Sequence, residues 1–244
     1  MTIPINPLLC MVRRFESQAH LSVDDGGALL ALPFTKQALG EGSYIVREGQ
    51  APTHCCVLLS GFAYRQKTHS NGGRQILSIH IPGDILDLQN LFLDVSDHNV
   101  QTMTRSEVAF IPRPYLVDLF HGRSAIGKAI LLSLLVEASI SREWLLNVGR
   151  RDARGRVAHL LCEFASRINV PGEPVGSSCR LPMTQQQIGD AVGLTPVHVN
   201  RTLRSLETEG LLHRSNHSIG FPDWSGLLNA AGFSSLYLHA DQQA

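Results

Sequence analysis

The stretch from Leu181 to Leu212, LPMTQQQIGDAVGLTPVHVNRTLRSLETEGLL, leaves this chain little freedom in what it folds into. Its spacing predicts two short helices joined by a tight turn. Thr184 is placed to cap the first helix, and Gln187 three residues on completes a capping box. Ile188, Ala191 and Val192 then fall on one face at helical spacing, which predicts a buried face. Gly193 suits the left-handed residue of a helix–helix turn. Thr195 is a second N-cap, and Pro196 takes the first helical position, where its missing N–H costs nothing.

The second helix divides into two faces. Val199, Leu203 and Leu206 recur at i, i+4 and i+7 and are expected to pack on the first helix. Val197, Asn200, Arg201 and Arg204 share another face, with an amide and two guanidiniums but no carboxylate. A duplex is polyanionic, and its major groove offers guanine acceptors that an arginine grips with two hydrogen bonds. This face, with His198 beside it, is therefore the one expected to meet DNA. Thr184, Gln186 and Thr195 sit where two helices begin and are expected at phosphates or the site's edge. After Leu212, the run His213–His217 reads as the turn of a small β-wing, with Arg214 at a phosphate.

Net charge is formally zero, which by itself argues against a nucleic-acid partner, but the charge is unevenly spread. Residues 1–120 carry 9 basic and 11 acidic groups, whereas residues 150–217 carry 9 basic and 6 acidic. The positive excess lies with the helix-turn-helix, and double-stranded DNA is the expected partner. No unbroken apolar run approaches the roughly 18 to 20 residues of a membrane span, and the basic residues near the N-terminus follow the apolar patch, unlike a secretory signal. A cytoplasmic protein with no membrane partner is expected.

Residues 1–40 read as mainly helical, with Ser22 as a cap and Gly27–Leu39 as an apolar segment. From about Gly42 the period changes to that of strands: Tyr44–Arg47, Cys55–Leu59, Phe62–Gln66, Gln75–His80, Val100–Thr104 and Val108–Pro112. Gly49, Gly61, Gly73 and Gly83 punctuate them, and Ser70-Asn71-Gly72-Gly73 is a hairpin signal. Many short strands at this spacing suggest a small antiparallel barrel or sandwich. The neighbours Cys55 and Cys56 alternate across a strand, so one is expected to face inward and the other outward. The five cysteines are odd in number and scattered, with no C-x-x-C pair, which disfavours a disulfide framework, a structural zinc or a cluster.

A helix is expected from about Ser124 to Arg150. Leu131, Leu134, Ala138, Ser141, Leu145 and Val148 follow 3-4-3-4-3 spacing, the seam of a helix pair. The chain breaks at Gly149–Asp152, and a further helix buries Val157, Leu160, Leu161 and Phe164. Asn169–Ser178 reads as a turn-rich loop, and Phe221, Trp224, Leu227, Leu228 and Phe233 as a last element packed back on the helix-turn-helix.

The stretch opening this section resembles the C-terminal DNA-binding segment of the Crp/Fnr family of bacterial transcription regulators. Thr184, Ile188, Gly189, Val192, Gly193, Thr195, Val199, Arg201, Leu203, Leu206, Gly210 and Leu211 carry the likeness. The pattern REGQ…LLSGFAYR…NGGRQILSIHIPGD resembles the family's β-roll sensor, so the likeness runs from about Gly40 to Leu212. It implies an α+β chain: an N-terminal antiparallel β-roll (double-stranded β-helix), a long dimerisation helix and a C-terminal winged helix-turn-helix. The domains implied are 1–123 with its helical lead-in, 124–151 and 152–244. It also implies a homodimer whose Arg201 meets a guanine of each half-site of a palindrome, and RNA polymerase as a partner if the protein activates. Where Val197 stands the family usually has a glutamate that accepts from a base; valine meets a thymine methyl instead.

Family members that bind cyclic AMP hold the ribose with a glutamate and the cyclic phosphate with an arginine followed by serine or threonine. Aligned through Gly83-Asp84 and Leu91-Phe92, those positions hold Leu88, His98 and Asn99. They mark the place of an effector pocket but lack the fixed cation a cyclic phosphate needs. No cofactor is expected: cyclic AMP is disfavoured, the scattered histidines do not argue for haem or a metal, and only Cys10 lies where oxygen-sensing members hold a cluster. The reading is a regulator unresponsive to cyclic AMP. A gas- or ligand-sensing regulator of the same fold, using haem or redox chemistry, is the alternative. No nucleophile elbow, phosphate loop or paired acid/base motif suggests an enzyme.

Overall fold

The computed structural model describes residues 6–168, 178–215 and 218–239. The loop expected at Asn169–Ser178 and the wing tip at 216–217 lie almost wholly outside these. By its contacts the chain divides into two units: residues 1–67, 79–139 and 238–244 form one, and residues 68–78 with 140–237 the other.

The first unit opens with helices α1 (Leu9–Glu16) and α2 (Val23–Leu30). Ser22 caps α2 in a full capping box with Asp25. The helical reading of 1–40 stops there, and Thr35–Leu39 is instead strand β1, paired antiparallel with a later strand from Thr35↔Phe110 to Leu39↔Ser106. Pro33 explains the change: it ends the helical run and biases its neighbours to extended backbone. Strands β2 (Tyr44–Val46), β3 (His54–Ser60), β4 (Ala63–Thr68), β5 (Arg74–His80), β6 (Asn99–Thr102) and β7 (Ser106–Pro112) follow, then α3 (Arg113–Gly122) and α4 (Ser124–Arg150); residues 74–78 of β5 and 140–150 of α4 are counted with the second unit. They form one sheet in the order β1-β7-β3 and a second in the order β2-β6-β4-β5.

Strand β3 separates two cores. Cys55 and Val57 join a cluster with Leu8 just before α1, Met11 and Phe15 of α1, Leu116 of α3, and Ile126 and Ile130 of α4. Cys56 and Leu58 point the other way, to Val46, Ala63, Leu86, Val100 and Val108. The two cysteines do alternate, but both are buried, because helices cover the face expected to be open. Burial pushes both thiols well above their usual range, so they act as apolar packing.

Helix α4 is 27 residues long, and its apolar 18-residue window, mean hydropathy 1.5, is sufficient by length and composition to cross a membrane. Two of its polar residues have partners in the protein: Ser133 meets Gln18, and Glu137 meets a buried arginine of β4. Along the expected seam Leu131, Ala138, Ser141 and Leu145 are exposed, and Leu134 and Val148 half-buried. Leu135 and Leu146, outside the expected set, widen the open apolar stripe.

In the second unit, Asp152 caps α5 (Ala153–Arg167), accepting from the Gly155 N–H at 2.7 Å. The helix-turn-helix follows as α6 (Gln185–Val192) and α7 (Pro196–Thr208). Strands β8 (Cys179–Arg180), β9 (His213–Ser215) and β10 (Ser218–Gly220) make a small sheet in the order β8-β10-β9. Helix α8 (Trp224–Ala231) packs on α5, and a short 3-10 turn at Ser235–Leu238 follows. Behind this lies a buried polar network. The Glu163 carboxylate, its pKa raised by burial, accepts from Trp144 Nε1 at 2.9 Å and from the Tyr237 hydroxyl at 2.8 Å.

Candidate nucleic-acid interface and effector site

The local chemistry of the helix-turn-helix fixes its geometry. Thr184 accepts from the Gln187 N–H and the Gln187 side chain answers at the Thr184 N–H, closing the capping box. Gly193 ends α6 in the left-handed region, at φ +69°. One turn earlier, a Cβ on Gly189 would stand 2.4 Å from the Leu194 carbonyl oxygen, so the chain crosses α6 closely only because that position is glycine. Thr195 accepts from the His198 N–H, with Pro196 at the first helical position. Val199, Leu203 and Leu206 are buried.

This packing turns the other face of α7 outward. Val197 is 71 % exposed, Arg201 and Arg204 are exposed, and Asn200 is half-buried. With Pro196 and Gln185 they line an open concavity of about 450 Å³. Gln185 is a residue the sequence reading passed over. Its place at the first position of α6, facing α7, was the signal. The carboxylates at the C-terminal end of α7 are ion-paired: Arg214 holds Glu207 and Arg154 holds Glu209, and these hydrogen bonds keep each carboxyl below its usual pKa. The same pairing means that Arg214, expected at a phosphate, has its guanidinium on Glu207. Gln186 likewise donates to Asp190 at 2.7 Å, and Thr184 and Thr195 spend an oxygen lone pair on their caps but keep a hydroxyl proton.

In the first unit, Leu88 and His98 are buried and Asn99 is half-buried. Leu88 belongs to the core shared with α1 and α4. His98 is buried between Asp97, 2.8 Å from its Nδ1, and Gln89; burial pulls its pKa below the usual value. Asn99 accepts from the Glu48 N–H at 3.1 Å. Arg65 of β4 is the buried cation of this interior. One Nη is ion-paired with Glu137 of α4, the other donates to the Leu86 carbonyl at 2.8 Å, and burial lowers its pKa to about 10, so it stays charged at neutral pH. A cyclic phosphate needs a cation free to receive it. With Arg65 committed, His98 neutral and Leu88 in the core, these residues do not fit a cyclic nucleotide. Nor, among the described residues, do three or more His, Cys, Asp or Glu side chains gather to hold a metal ion.

A β-roll-like sheet unit with a long helix, followed by a capped helix-turn-helix and wing, defines a two-part DNA-binding regulator. Comparison with known proteins specifies it. A profile of the cyclic nucleotide-binding domain matches residues 36–123, and one of the Crp-like helix-turn-helix domain matches residues 155–230. The chain is 26 % identical over 202 residues to the transcriptional activator protein FnrL of Cereibacter sphaeroides, covering 80 % of this chain and 79 % of that one. It is 27 % identical over 173 residues to the nitrogen fixation regulation protein FixK of Rhizobium meliloti, covering 70 % and 74 %. The solved structure of FixK2 from Bradyrhizobium japonicum superposes with a TM-score of 0.76 at 25 % identity, over 83 % of this chain and all of that one. The chain belongs to the Crp/Fnr family and is a helix-turn-helix DNA-binding transcription regulator.

Proposed function

We propose that the protein is a cytoplasmic homodimer that activates transcription from a palindromic site without cyclic AMP. The observation that carries this is the outward, acid-free face of α7. Arg201 reads a guanine, Asn200 and Val197 refine the half-site, and His198 and Arg204 contact its edge. Thr184, Thr195 and Gln186 hold phosphates, and Arg214 reaches one only by leaving Glu207. Gln185 joins the readers from α6. The open stripe of α4, with Leu131, Leu134, Ala138, Ser141, Leu145 and Val148 as its seam, pairs with its twin. Two-fold symmetry then sets half-sites about one helical turn apart. In this reading 1–123 is the sensor, 124–151 the dimer helix and 152–244 the reader, and RNA polymerase is the partner of the bound dimer. No reaction is assigned to the chain. Its relatives FnrL and FixK bear names of an activator and a regulator, which supports the activating role.

The test is selection from a random-sequence DNA pool with purified protein and no added ligand. An enriched palindrome supports the reading. Only salt-sensitive binding without sequence preference overturns it.

A further inference from the structure

A hollow in the first unit has Asp87 in its wall. It has a volume of about 150 Å³, and its wall comes from β2, the loop before β3, β3 itself and the segment 87–96. That is room for several waters, and well below the size of a drug-like pocket, so any organic occupant is small. Leu88, His98 and Asn99 do not line it.

Its inner wall is polar and buried. Asn90 is 0 % exposed, Asp87 1 % and Ser96 2 %. Two of the donors there have partners: Asn90 Nδ2 donates to Ser96 Oγ at 2.9 Å, and the Cys56 N–H donates to Asp87 Oδ1 at 2.9 Å. The acceptors are in surplus. Asn90 Oδ1 is buried with no hydrogen-bond partner in the protein. A buried acceptor left without a donor is costly, and such atoms are few in a folded chain. The rim has the opposite character. Arg47 stands there with its guanidinium 3.9 Å above the Tyr44 ring, exposed and outside every ion pair described, with His54 and Gln50 near it. The hollow thus asks for N–H donors at its inner end and an anion at its mouth.

We propose that this hollow binds a small zwitterion of the α-amino-acid class, with its ammonium on Asn90 Oδ1 and the Asp87 carboxyl and its carboxylate on Arg47. Such a molecule bridges β2 to the segment 87–96. The binding is independent of DNA reading, so it is tested without DNA and does not stand or fall with the proposed regulator.

The experiment is calorimetric titration of the full-length protein with glycine, L-alanine and L-serine, and with propionate and ethylamine as the two halves of the ligand. At least one amino acid is expected to bind, with each half weaker by about tenfold or more, since a hydrogen bond to a charged group is worth that much. Arg47→Gln, at an exposed position that leaves folding intact, is expected to weaken the amino acid by about tenfold and leave ethylamine unchanged. Asn90→Leu is expected to abolish both. No binding by any amino acid overturns the proposal and leaves the hollow to water. Binding unchanged in Arg47→Gln overturns it equally, and that result does not depend on whether Asn90→Leu folds.

Discussion

The Arg65 guanidinium, buried in the first unit, is ion-paired with Glu137 of α4 and also donates to the Leu86 carbonyl. A charged side chain of the protein thus ties the inside of the sheet to the long helix. Removing one partner of such a pair strands the other. Glu137→Ala is expected to destabilise the first unit by about 2–3 kcal/mol, less than for a fully buried pair because Glu137 is partly exposed. Arg65→Met with Glu137→Leu is expected to recover most of that loss. Hydrogen exchange at β4 amides under mild denaturant measures both. Wild-type protein titrated with cyclic AMP is expected to give no binding heat.

Arg201→Ala is expected to remove discrimination between the selected palindrome and scrambled DNA while leaving weak, salt-sensitive binding. A bidentate arginine–guanine contact is worth about 1–3 kcal/mol of discrimination per half-site. Arg204→Ala, at the edge of the face, is expected to weaken all sequences alike and to reduce the salt slope by about 1 per protomer. Equilibrium binding at several salt concentrations separates the two. Discrimination retained in Arg201→Ala would count against this residue as a base reader.

Val197 is 71 % exposed beside Asn200 and Arg201, with no polar atom to offer a base. Val197→Glu supplies the acceptor the family usually has there. The mutant is expected to enrich a different half-site from a random pool, with a cytosine donor favoured at the position it meets. The same palindrome from both proteins would place Val197 outside the groove.

How much of this was legible beforehand depended on whether the cause was local. The caps at Thr184 and Thr195, the turn at Gly193 and the bounds of α4 follow from neighbours in sequence, and the structure has them where the spacing put them. Strand β1 was missed because its reason is distant: it exists by pairing with β7, some seventy residues on. The burial of both Cys55 and Cys56 was hidden for the same reason, since alternation reports two faces but not what covers them. At the interface, Arg201 stood out by its charge and Gln185 did not. The Arg214–Glu207 pair became visible only when β9 folded back on α7.

The close crossing at Gly189 gives a sharper stability test than the turn itself. Gly193→Ala has open space for its methyl among protein backbone atoms but takes on the left-handed strain of φ +69°, about 1 kcal/mol. Gly189→Ala has ordinary helical backbone but drives its methyl to 2.4 Å from the Leu194 carbonyl, which must move. It is expected to cost more, about 2–3 kcal/mol. Thermal unfolding monitored by Trp144 and Trp224 fluorescence ranks the two, and the reverse order would show that the turn, not the crossing, limits stability.

His159 of α5 supplies the pH dependence. It is buried, stacked on Tyr237 with centroids 5.8 Å apart, and its Nε2 lies 3.2 Å from the Glu143 carboxylate. Burial first, and then the nearby Arg151, pull its pKa down to about 4, against the opposing pull of Glu143. The folded protein therefore holds His159 neutral where the unfolded chain, at about 6.5, takes up a proton. The stability this gives is complete above about 6.5 and is lost as pH falls toward about 4, with a slope of at most about 1.4 kcal/mol per pH unit. Glu163 pulls the other way, because its raised pKa favours the folded state as acid is added. The difference between wild type and His159→Gln isolates the histidine. Stability of the second unit relative to the mutant is expected to fall between pH 6.5 and 4, and a flat difference would mean that the imidazole is already charged when folded.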